Sequence, residues 1–302
     1  MPSPRAKTSD LPSAPTVADL IRHGAASFEG ARLAFGHGTA SAMDEAAALV
    51  FHALGLEHDE AESVYGRRVG APEVERVLAL FAERIRRRVP AAYLMRRMWF
   101  AGLEFDVDER VIVPRSPFAE LVLARFEPWV DPDRVTRVLD IGTGSGCIAI
   151  ACAFAFPAAR VDAIDISTDA LEVAARNVAK HAVGDRVRLR HGDCFAPLAG
   201  ERYDLIVANP PYVSDAEMAA LPQEYLHEPD LALRAGPDGL DVVRRILAGA
   251  AAHLEEDGVL VVEVGDSDTR LGEAYPTLPF VWLEFEHGGG GVFVLRRRDL
   301  ER

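Results

Sequence analysis

The stretch Val138-Leu139-Asp140-Ile141-Gly142-Thr143-Gly144-Ser145-Gly146 decides the fold of this chain of 302 residues. It joins an apolar run typical of a buried strand to a glycine-rich turn, and a helical pattern follows over Ser145–Phe156. Glycine permits a sharp turn and lets a ligand approach the backbone closely. In an open α/β sheet, ligands bind in the crevice beside such a turn. The stretch therefore predicts both the start of a doubly wound sheet and a ligand site.

Strands and helices alternate around this turn. The predicted strands are Arg137–Asp140, Arg160–Asp165, Arg186–Arg190, Leu205–Ala208 and Val259–Val264. The predicted helices are Pro117–Phe126, Ser145–Phe156, Thr168–His181 and Leu240–Leu254. This alternation predicts an α/β fold with a parallel, doubly wound sheet. Two further extended runs, Phe280–Phe285 and Gly291–Leu295, predict an antiparallel hairpin at the sheet edge.

The chain before residue 99 shows helical patterns and no convincing strand. Ser41 precedes an alanine-rich run that ends at Leu54, and Pro72 begins a second helical pattern over Glu73–Val89. Residues 1–15 contain four prolines among small polar residues, which is typical of a disordered tail. We therefore expect a tail over residues 1–15 and a small helical domain over residues 16–98.

Short extended pieces separate the helical domain from the sheet. They cover Phe100–Val107 and Arg110–Val113, and Pro114 ends the second piece. This pattern predicts a β-hairpin linker over residues 99–116, after which the main domain occupies residues 117–302.

Composition narrows the classes of function. No apolar stretch approaches the roughly 20 residues that cross a bilayer, so we expect a cytoplasmic protein without a membrane partner. Cys147, Cys152 and Cys194 have no metal-ligand spacing, so we expect reduced thiols and no metal. The net charge is −14, with 19 basic and 31 acidic side chains after residue 110. This balance disfavours a broad nucleic-acid surface and suits a basic protein partner.

Two arginine clusters run against the acidic balance. They are Arg84, Arg86, Arg87 and Arg88 in a helical pattern, and Arg296, Arg297 and Arg298 near the C-terminal end. One interpretation is a solvated helix face and a frayed terminus, and the other is docking near RNA. The sequence leaves both open.

The glycine spacing indicates what the turn binds. A dinucleotide-binding loop would place its third glycine at Cys147, whereas the glycines here are Gly142, Gly144 and Gly146. Asp140 would repel a phosphate but suits an ammonium or sulfonium charge. This combination resembles the donor loop of the Rossmann-like class I S-adenosylmethionine methyltransferases. The alternative is a tight strand-to-helix turn beside an ordinary capping acid.

The resemblance implies S-adenosylmethionine as cofactor, with S-adenosylhomocysteine as its product, bound by Asp140, Gly142, Thr143, Gly144, Ser145 and Gly146. Asp165 ends the second strand 19 residues beyond Gly146, where an acid can accept from ribose hydroxyls. Asp193, with the Cys194 backbone beside it, follows the third strand and can accept from the adenine amino group. Each acid alone could instead cap a helix or a turn.

A second loop, Asn209-Pro210-Pro211-Tyr212, follows the strand Leu205–Ala208. Its prolines fix φ and remove two backbone donors, so the loop presents carbonyl oxygens and the Asn209 side-chain oxygen. Two acceptors can hold both N–H groups of a planar NH₂ and turn its nitrogen towards a methyl donor, so the rate comes from positioning. We expect the Tyr212 ring to form a wall of the acceptor site or to stack on the planar group that carries the NH₂. The alternatives are a core tyrosine and, for the tetrapeptide, a simple turn.

Asn-Pro-Pro-Tyr with a class I donor loop resembles two families, the adenine amino methyltransferases of DNA and the HemK-type protein-(glutamine-N(5)) methyltransferases. The helical front domain, Phe100-Ala101-Gly102-Leu103-Glu104-Phe105 and Val113-Pro114-Arg115 resemble the second family over most of residues 40–297. The resemblance implies a substrate-recognition role for the helical domain. In that family the aromatic hairpin closes over the donor methyl, which implies Phe100 as a cofactor-site residue. Hairpin core is the alternative for Phe100.

Two stretches point to one branch of this family. Pro114-Arg115-Ser116-Pro117-Phe118-Ala119-Glu120 is one residue longer than the release-factor pattern Pro-Arg-Pro-Asp-Thr-Glu and lacks its threonine. With Leu221–Pro229, it resembles the PrmB-type branch, which methylates a glutamine of large-subunit ribosomal protein L-three. The resemblance implies Asn209, Pro210, Pro211 and Tyr212 as the catalytic loop and a basic ribosomal protein as partner. Three alternatives stay open: release-factor methylation, adenine methylation of nucleic acid, and a non-catalytic ribosome-assembly factor.

Overall fold

The computed structural model describes residues 11–57 and 64–301, which form two compact units. Of these described residues, the first unit holds those up to Met98 together with Pro222–His227, and the second holds Trp99–Leu221 and those from Glu228 onward. Residues 1–10 of the predicted tail lie outside the described residues. Disorder up to residue 15 is wrong at its end, because Pro15 is buried and its carbonyl accepts from the Val69 N–H at 2.8 Å.

Helices form the described part of the first unit. They are α1 (Val17–Gly30), α2 (Ala42–Leu54), α3 (Ala71–Arg87) and α4 (Ala91–Met95). The predicted start at Ser41 is confirmed, because its Oγ accepts from the Asp44 N–H at 3.2 Å. Helix α1 is absent from the sequence-based prediction, although Thr16 and Asp19 form a capping box at its start.

The arginine cluster at the end of α3 is divided, because two of its four members are held by buried carboxyl groups. Arg84 is fully buried, and its Nε donates to Glu45 Oε1 at 2.7 Å. Arg88 pairs with the buried Glu224 at 3.1 Å. Of the four arginines, Arg86 and Arg87 are the exposed ones. The cluster is therefore neither one solvated face nor one basic patch.

A hairpin follows, earlier in the chain than predicted. Its strands are β1 (Arg97–Phe100) and β2 (Leu103–Asp106), and residues 110–113 form no strand. The turn Ala101-Gly102 has φ of +47° and +78°, as a tight hairpin turn requires. The apolar residues beyond the hairpin, Val107, Val111 and Val113, are buried in an irregular segment, so their pattern reports burial and not a strand.

Seven strands form the sheet of the second unit. After the hairpin they are β3 (Arg137–Ile141), β4 (Arg160–Asp165), β5 (Val187–His191), β6 (Tyr203–Ala208), β7 (Leu254–Glu263), β8 (Val281–Trp282) and β9 (Val292–Arg296). Their order is β5-β4-β3-β6-β7-β9-β8, with the first five parallel, β9 antiparallel to β7, and β8 antiparallel to β9. The doubly wound α/β sheet with an antiparallel edge is thus confirmed.

The helices of this unit are α5 (Phe118–Leu123), α6 (Cys147–Ala155), α7 (Thr168–Lys180), α8 (Asp215–Met218), α9 (Asp230–Leu233), α10 (Asp241–His253), α11 (Asp268–Ala274) and α12 (Arg297–Leu300). Alternate strand residues enter separate apolar cores: Val138 and Leu205 belong to one, Leu139 and Ile206 to the other. Each fully buried aliphatic side chain contributes roughly 1.5–3 kcal/mol to stability. Cores on both faces hold the central strands β3 and β6 in register, so their carboxyl ends emerge together.

Candidate functional site

A crevice lies at the carboxyl ends of β3, β4, β5 and β6. Its volume is about 490 Å³, within the usual range for small-molecule sites. The sequence-predicted residues that line it are Gly142, Gly144, Asp165, Asp193, Cys194, Asn209, Pro210 and Pro211. Donor-loop and acceptor-loop residues therefore share one cavity.

The glycine turn stands directly beside the acceptor loop. At Gly142, where φ is +74°, a Cβ would lie 3.8 Å from the Asn209 carbonyl oxygen and 3.9 Å from Pro210 Cα. The N–H groups of Gly142 and Thr143 both donate to the Ile164 carbonyl, at 2.8 and 2.9 Å. These bonds fix the turn against the end of β4. A side chain at residue 142 would fill the narrow gap between the two loops.

Asp165 is held at the crevice wall by two backbone donors. Its Oδ2 accepts from the Gly144 N–H at 2.8 Å and its Oδ1 from the Ser167 N–H at 2.9 Å. Burial raises the pKa of this carboxyl, while the backbone bonds oppose the shift. A carboxylate oxygen has two lone pairs, so each oxygen can still accept from a ligand hydroxyl. Ile166 beside it is apolar yet 49% exposed, which suits a planar apolar group.

Asp193 and Cys194 line the far end of the crevice. Asp193 Oδ2 forms an ion pair with Arg245 Nη1, and Arg245 also lines the crevice. Burial raises the pKa of the Cys194 thiol to about 12. The thiol is therefore neutral at ordinary pH, and the side chain contributes packing rather than charge.

The Asn209 side chain is free to bind a ligand. It is half-buried at the crevice, and its amide has no hydrogen-bond partner among the residues that the structure describes. Tyr212 takes a different position from the one expected: it lines a separate cavity of about 20 Å³ and is not part of the crevice lining. Asn209 and Pro210 line both cavities, so the loop forms the wall between them.

Other predicted site residues lie behind the donor loop. Asp140 is fully buried, and its Oδ2 accepts from Thr143 Oγ1 at 2.7 Å and from the Ala149 N–H at 3.1 Å. Burial raises the pKa of Asp140 to about 7. The Ser145 carbonyl accepts from Asn177 Nδ2 at 2.8 Å. Four predicted residues of the donor loop do not line the crevice: Asp140, Thr143, Ser145 and Gly146. They shape the donor loop and do not face a ligand bound in the crevice.

Phe100 is placed in the apolar core and not at the crevice. It is 4% exposed, and its ring lies 6.5 Å from that of Phe105, centroid to centroid. It does not line the crevice. The hairpin residue that the resemblance implied as a lid therefore packs as hairpin core in this structure.

Several lining residues were missed: four of them come from irregular segments or short helices, and two lie on the longer helix α10. They are Arg110, Ile112, Asp215, Leu231, Asp241 and Arg245. Arg110 and Ile112 follow the hairpin in the segment expected to be a strand. Asp241 and Arg245 stand four residues apart on α10, which puts them on one helix face. This spacing of two polar residues on one helix face was the signal in the sequence that α10 could form a wall of the crevice.

Pro114–Glu120 and Leu221–Pro229, the two stretches that resemble the PrmB-type branch, contact each other through Arg115 and Glu228. Arg115 donates to both oxygens of Glu228, at 2.5 and 2.8 Å, and the Val113 N–H donates to Glu228 Oε1 at 2.9 Å. Glu228 is 5% exposed. A bidentate pair of this kind fixes geometry as well as charge. It ties the segment after the hairpin to the chain that enters α9 beside the crevice.

Comparison with known proteins defines the class. The family model "Methyltransferase small domain" matches residues 120–238, which hold most of the crevice. Among solved structures, the hMettl16 catalytic domain in complex with MAT2A 3′UTR hairpin 1 has a TM-score of 0.53 at 16% identity, covering 83% of this chain and 91% of that one. This similarity shows the fold alone. The chain is thus a class I, Rossmann-like methyltransferase, and hence an enzyme.

Closer relatives identify the family. The chain is 53% identical over 286 residues to the ribosomal protein uL3 glutamine methyltransferase of Xanthomonas campestris pv. campestris, covering 94% of this chain and 92% of that protein. It is 51% identical to the protein of that name from Bordetella pertussis, covering 94% and 96%. The chain belongs to the family of ribosomal protein uL3 glutamine methyltransferases, which confirms the branch expected from the sequence.

The residues that the structure describes, 11–57 and 64–301, contain no helix long and apolar enough to cross a membrane. They also contain no group of three or more His, Cys, Asp or Glu side chains placed to hold a metal ion.

Proposed function

We propose that the protein transfers the methyl group of S-adenosylmethionine to the side-chain amide nitrogen of a glutamine in ribosomal protein uL3. The observation that carries the proposal is the adjacency of Gly142 and Asn209 in one crevice. The names of the two relatives supply the substrate. A ribosomal substrate also implies action in the cytoplasm.

The residues on the donor side fit this cofactor. Asp165 retains acceptor capacity for ribose hydroxyls, and the exposed face of Ile166 offers an apolar surface for adenine. Asp193 can accept from the adenine amino group. When bound, the cofactor supplies an electrophilic methyl group. The turn at Gly142 permits close approach because it carries no side chain.

The acceptor loop contributes positioning. The Asn209 side-chain oxygen and the loop carbonyls accept the two N–H groups of the glutamine amide, which turns the nitrogen towards the methyl group. An amide nitrogen is a weak nucleophile, so fixed acceptors that favour charge developing on it lower the barrier. The nitrogen forms one bond to the methyl carbon as the carbon–sulfur bond of the donor breaks, with that electron pair staying on sulfur. S-adenosylhomocysteine is the leaving group, and the nitrogen then releases one of its two protons to solvent. Asn209 is the residue that we assign to this step.

Charge supports a basic protein substrate. The chain carries a net charge of −14, and ribosomal proteins are typically basic because they bind RNA. Such a field speeds the encounter with a basic partner at low ionic strength and slows the encounter with free nucleic acid. With Arg84 and Arg88 held inside the first unit, the case for contact with ribosomal RNA is weaker than the sequence suggested.

Replacing Asp165 with Asn should weaken donor binding about tenfold or more. The amide cannot accept from both the Ser167 and Gly144 N–H groups and bind ribose as well, so at least one hydrogen bond is lost at roughly 1–3 kcal/mol. Isothermal titration calorimetry with S-adenosylhomocysteine measures the affinity. The matched control is Asp169→Asn, an exposed acid in the first turn of α7, which should bind within about twofold of wild type. Equal binding by both variants would contradict the donor-site assignment.

The substrate is tested with labelled donor. Incubation with separated ribosomal proteins, a release factor and nucleic acid should label uL3, and mass spectrometry should place the methyl group on a glutamine. Label in a release factor alone would reject the branch, and label in nucleic acid would favour adenine methylation. Donor binding without transfer to any ribosomal component would favour a non-catalytic assembly factor.

A further inference from the structure

The acceptor loop has little means of holding its own position. Pro210 and Pro211 lack N–H groups, so neither can donate to a neighbouring strand beyond the end of β6. The Asn209 side chain is unbonded in the described structure and available to substrate. The orientation of Asn209 therefore depends on contacts made by the residues on either side of the two prolines. Tyr212 is the first residue after the prolines.

Tyr212 is anchored at three points behind the loop. Its hydroxyl donates to Glu263 Oε1 at 3.0 Å. Its carbonyl accepts from Ser267 Oγ at 3.0 Å. Its ring packs on Gly265, where an added Cβ would lie 2.6 Å from the ring carbon Cε2. Residue 265 has φ of +48°, so both conformation and space favour glycine there.

Glu263 joins this anchor to the segment that follows the hairpin. It is the last residue of β7 and is 6% exposed. While Oε1 accepts from Tyr212, Oε2 accepts from Ser116 Oγ at 2.5 Å. Ser116 Oγ in turn accepts from the Phe118 N–H at 3.1 Å. Both carboxyl oxygens are thus satisfied by hydroxyl groups from separate segments of the second unit.

A buried carboxyl is a costly way to fill space, because an apolar side chain of similar volume would cost less to bury. What the carboxyl adds is direction, since each oxygen specifies the position of one hydroxyl. Neither Glu263 nor Ser116 lines the crevice, so neither group contacts the contents of the crevice. Glu263 does line the small second cavity, which Asn209 and Tyr212 also line, and its hydrogen bond to the loop is made to the Tyr212 hydroxyl.

We propose that Glu263 is a positioning residue, which sets the orientation of Asn209 by holding the Tyr212 hydroxyl from behind the loop. This proposal rests on the proposed function of Asn209. It extends that function to a chain of hydrogen bonds outside the crevice, from Ser116 through Glu263 to Tyr212, which we call the relay. Displacement of a reacting group by about 1 Å can lower a rate on the order of a hundredfold. The relay therefore acts on the rate of transfer and not on donor affinity.

The test measures single-turnover methyl transfer to uL3, the KM for uL3 and donor binding in four variants. Glu263→Ala and Tyr212→Phe should each lower the rate about tenfold or more, with KM and donor affinity within about twofold of wild type. Glu263→Gln should restore most of the rate, because its oxygen accepts from Tyr212 and its Nε2 can donate to Ser116 Oγ. The double variant Tyr212→Phe/Glu263→Ala should lose little more than either single variant.

Glu201→Ala is the matched control. Glu201 accepts from Arg137 and Arg190 before the start of β6, at the other end of the strands from the crevice. It should lower thermal stability without changing the transfer rate. Rates within about twofold of wild type for folded Glu263→Ala and for Tyr212→Phe would overturn the proposal. If Glu263→Ala does not fold, Tyr212→Phe alone decides.

A substrate-free measurement separates this proposal from the proposed function. The Val213 N–H donates to the Leu233 carbonyl at 2.9 Å, directly after the anchored tyrosine. Its amide hydrogen exchange should be about tenfold faster or more in Glu263→Ala and in Tyr212→Phe than in wild type, and unchanged in Glu201→Ala. Wild-type protein that fails to methylate uL3 would reject the proposed function. Unchanged exchange at Val213 would reject the relay, whatever the substrate.

Discussion

Asn209→Ala should lower the rate of methyl transfer at least about tenfold, and on the order of a hundredfold if its oxygen supports charge developing on the amide nitrogen. Donor affinity should stay within about twofold of wild type, because the turn at Gly142 and the acid Asp165 remain in place. Single-turnover transfer and calorimetry with S-adenosylhomocysteine measure the two quantities separately.

The Asn209→Ala variant should keep the stability of the wild-type protein. The Asn209 amide makes no hydrogen bond within the described part of the chain, so its removal leaves no buried group unpaired. Thermal unfolding of the variant should therefore match wild type. Lost donor binding with retained transfer at saturating donor would mean that this loop serves the cofactor and not the acceptor.

Arg84→Met should reduce the stability of the first unit by about 3–5 kcal/mol, because it leaves the buried Glu45 without its cation and the buried Glu224 with Arg88 alone. Glu45 lies 2.7 Å from Arg84 Nε, and Glu224 lies 3.6 Å from Nη1. All three side chains are at most 1% exposed. Denaturant unfolding followed by far-UV circular dichroism measures the change.

The loss should also depend on pH. Burial already raises the pKa of Glu45, and Arg84 opposes that shift, so the variant raises this pKa further. A raised carboxyl pKa favours the folded state below the unfolded value and costs stability as pH rises through the folded one. The deficit of the variant should therefore shrink as the pH is lowered from 8 towards the unfolded pKa of Glu45, roughly 4.3.

Arg86→Met is the matched control on the same helix. Arg86 is exposed, so its removal should change stability by less than about 0.5 kcal/mol. Equal loss in both variants would mean that the charge of α3 matters and not the buried pair.

Strand prediction in the second unit succeeded because the local pattern and the tertiary environment agree there. Val138, Leu139 and Ile141 are apolar and buried on both faces of the strand, as the centre of a parallel sheet requires. The segment after the hairpin failed for the opposite reason. Val111 and Val113 have an alternating pattern, yet they are buried in irregular chain fixed by the long-range bond from Val113 to Glu228. Local spacing carries no signal for such a partner.

The site was predictable where backbone chemistry dictates it. Gly142 and Gly144 permit positive φ, and Pro210 and Pro211 fix φ, so both effects can be predicted directly from sequence. Side-chain direction was not predictable, because it depends on neighbours that are distant in sequence. Asp140 faces inward to cap the loop, and Tyr212 faces Glu263, 51 residues further along the chain.

The discontinuity of the first unit has a consequence for biosynthesis. Glu224, which completes the cluster around Arg84 and Arg88, is translated long after the helices that it joins. At roughly 5–20 residues per second, the delay is on the order of 10 s. The nascent helices must therefore leave the ribosome with two arginines still lacking one of their carboxylate partners. Their final packing is completed only after the glycine turn and most of the sheet have been synthesised.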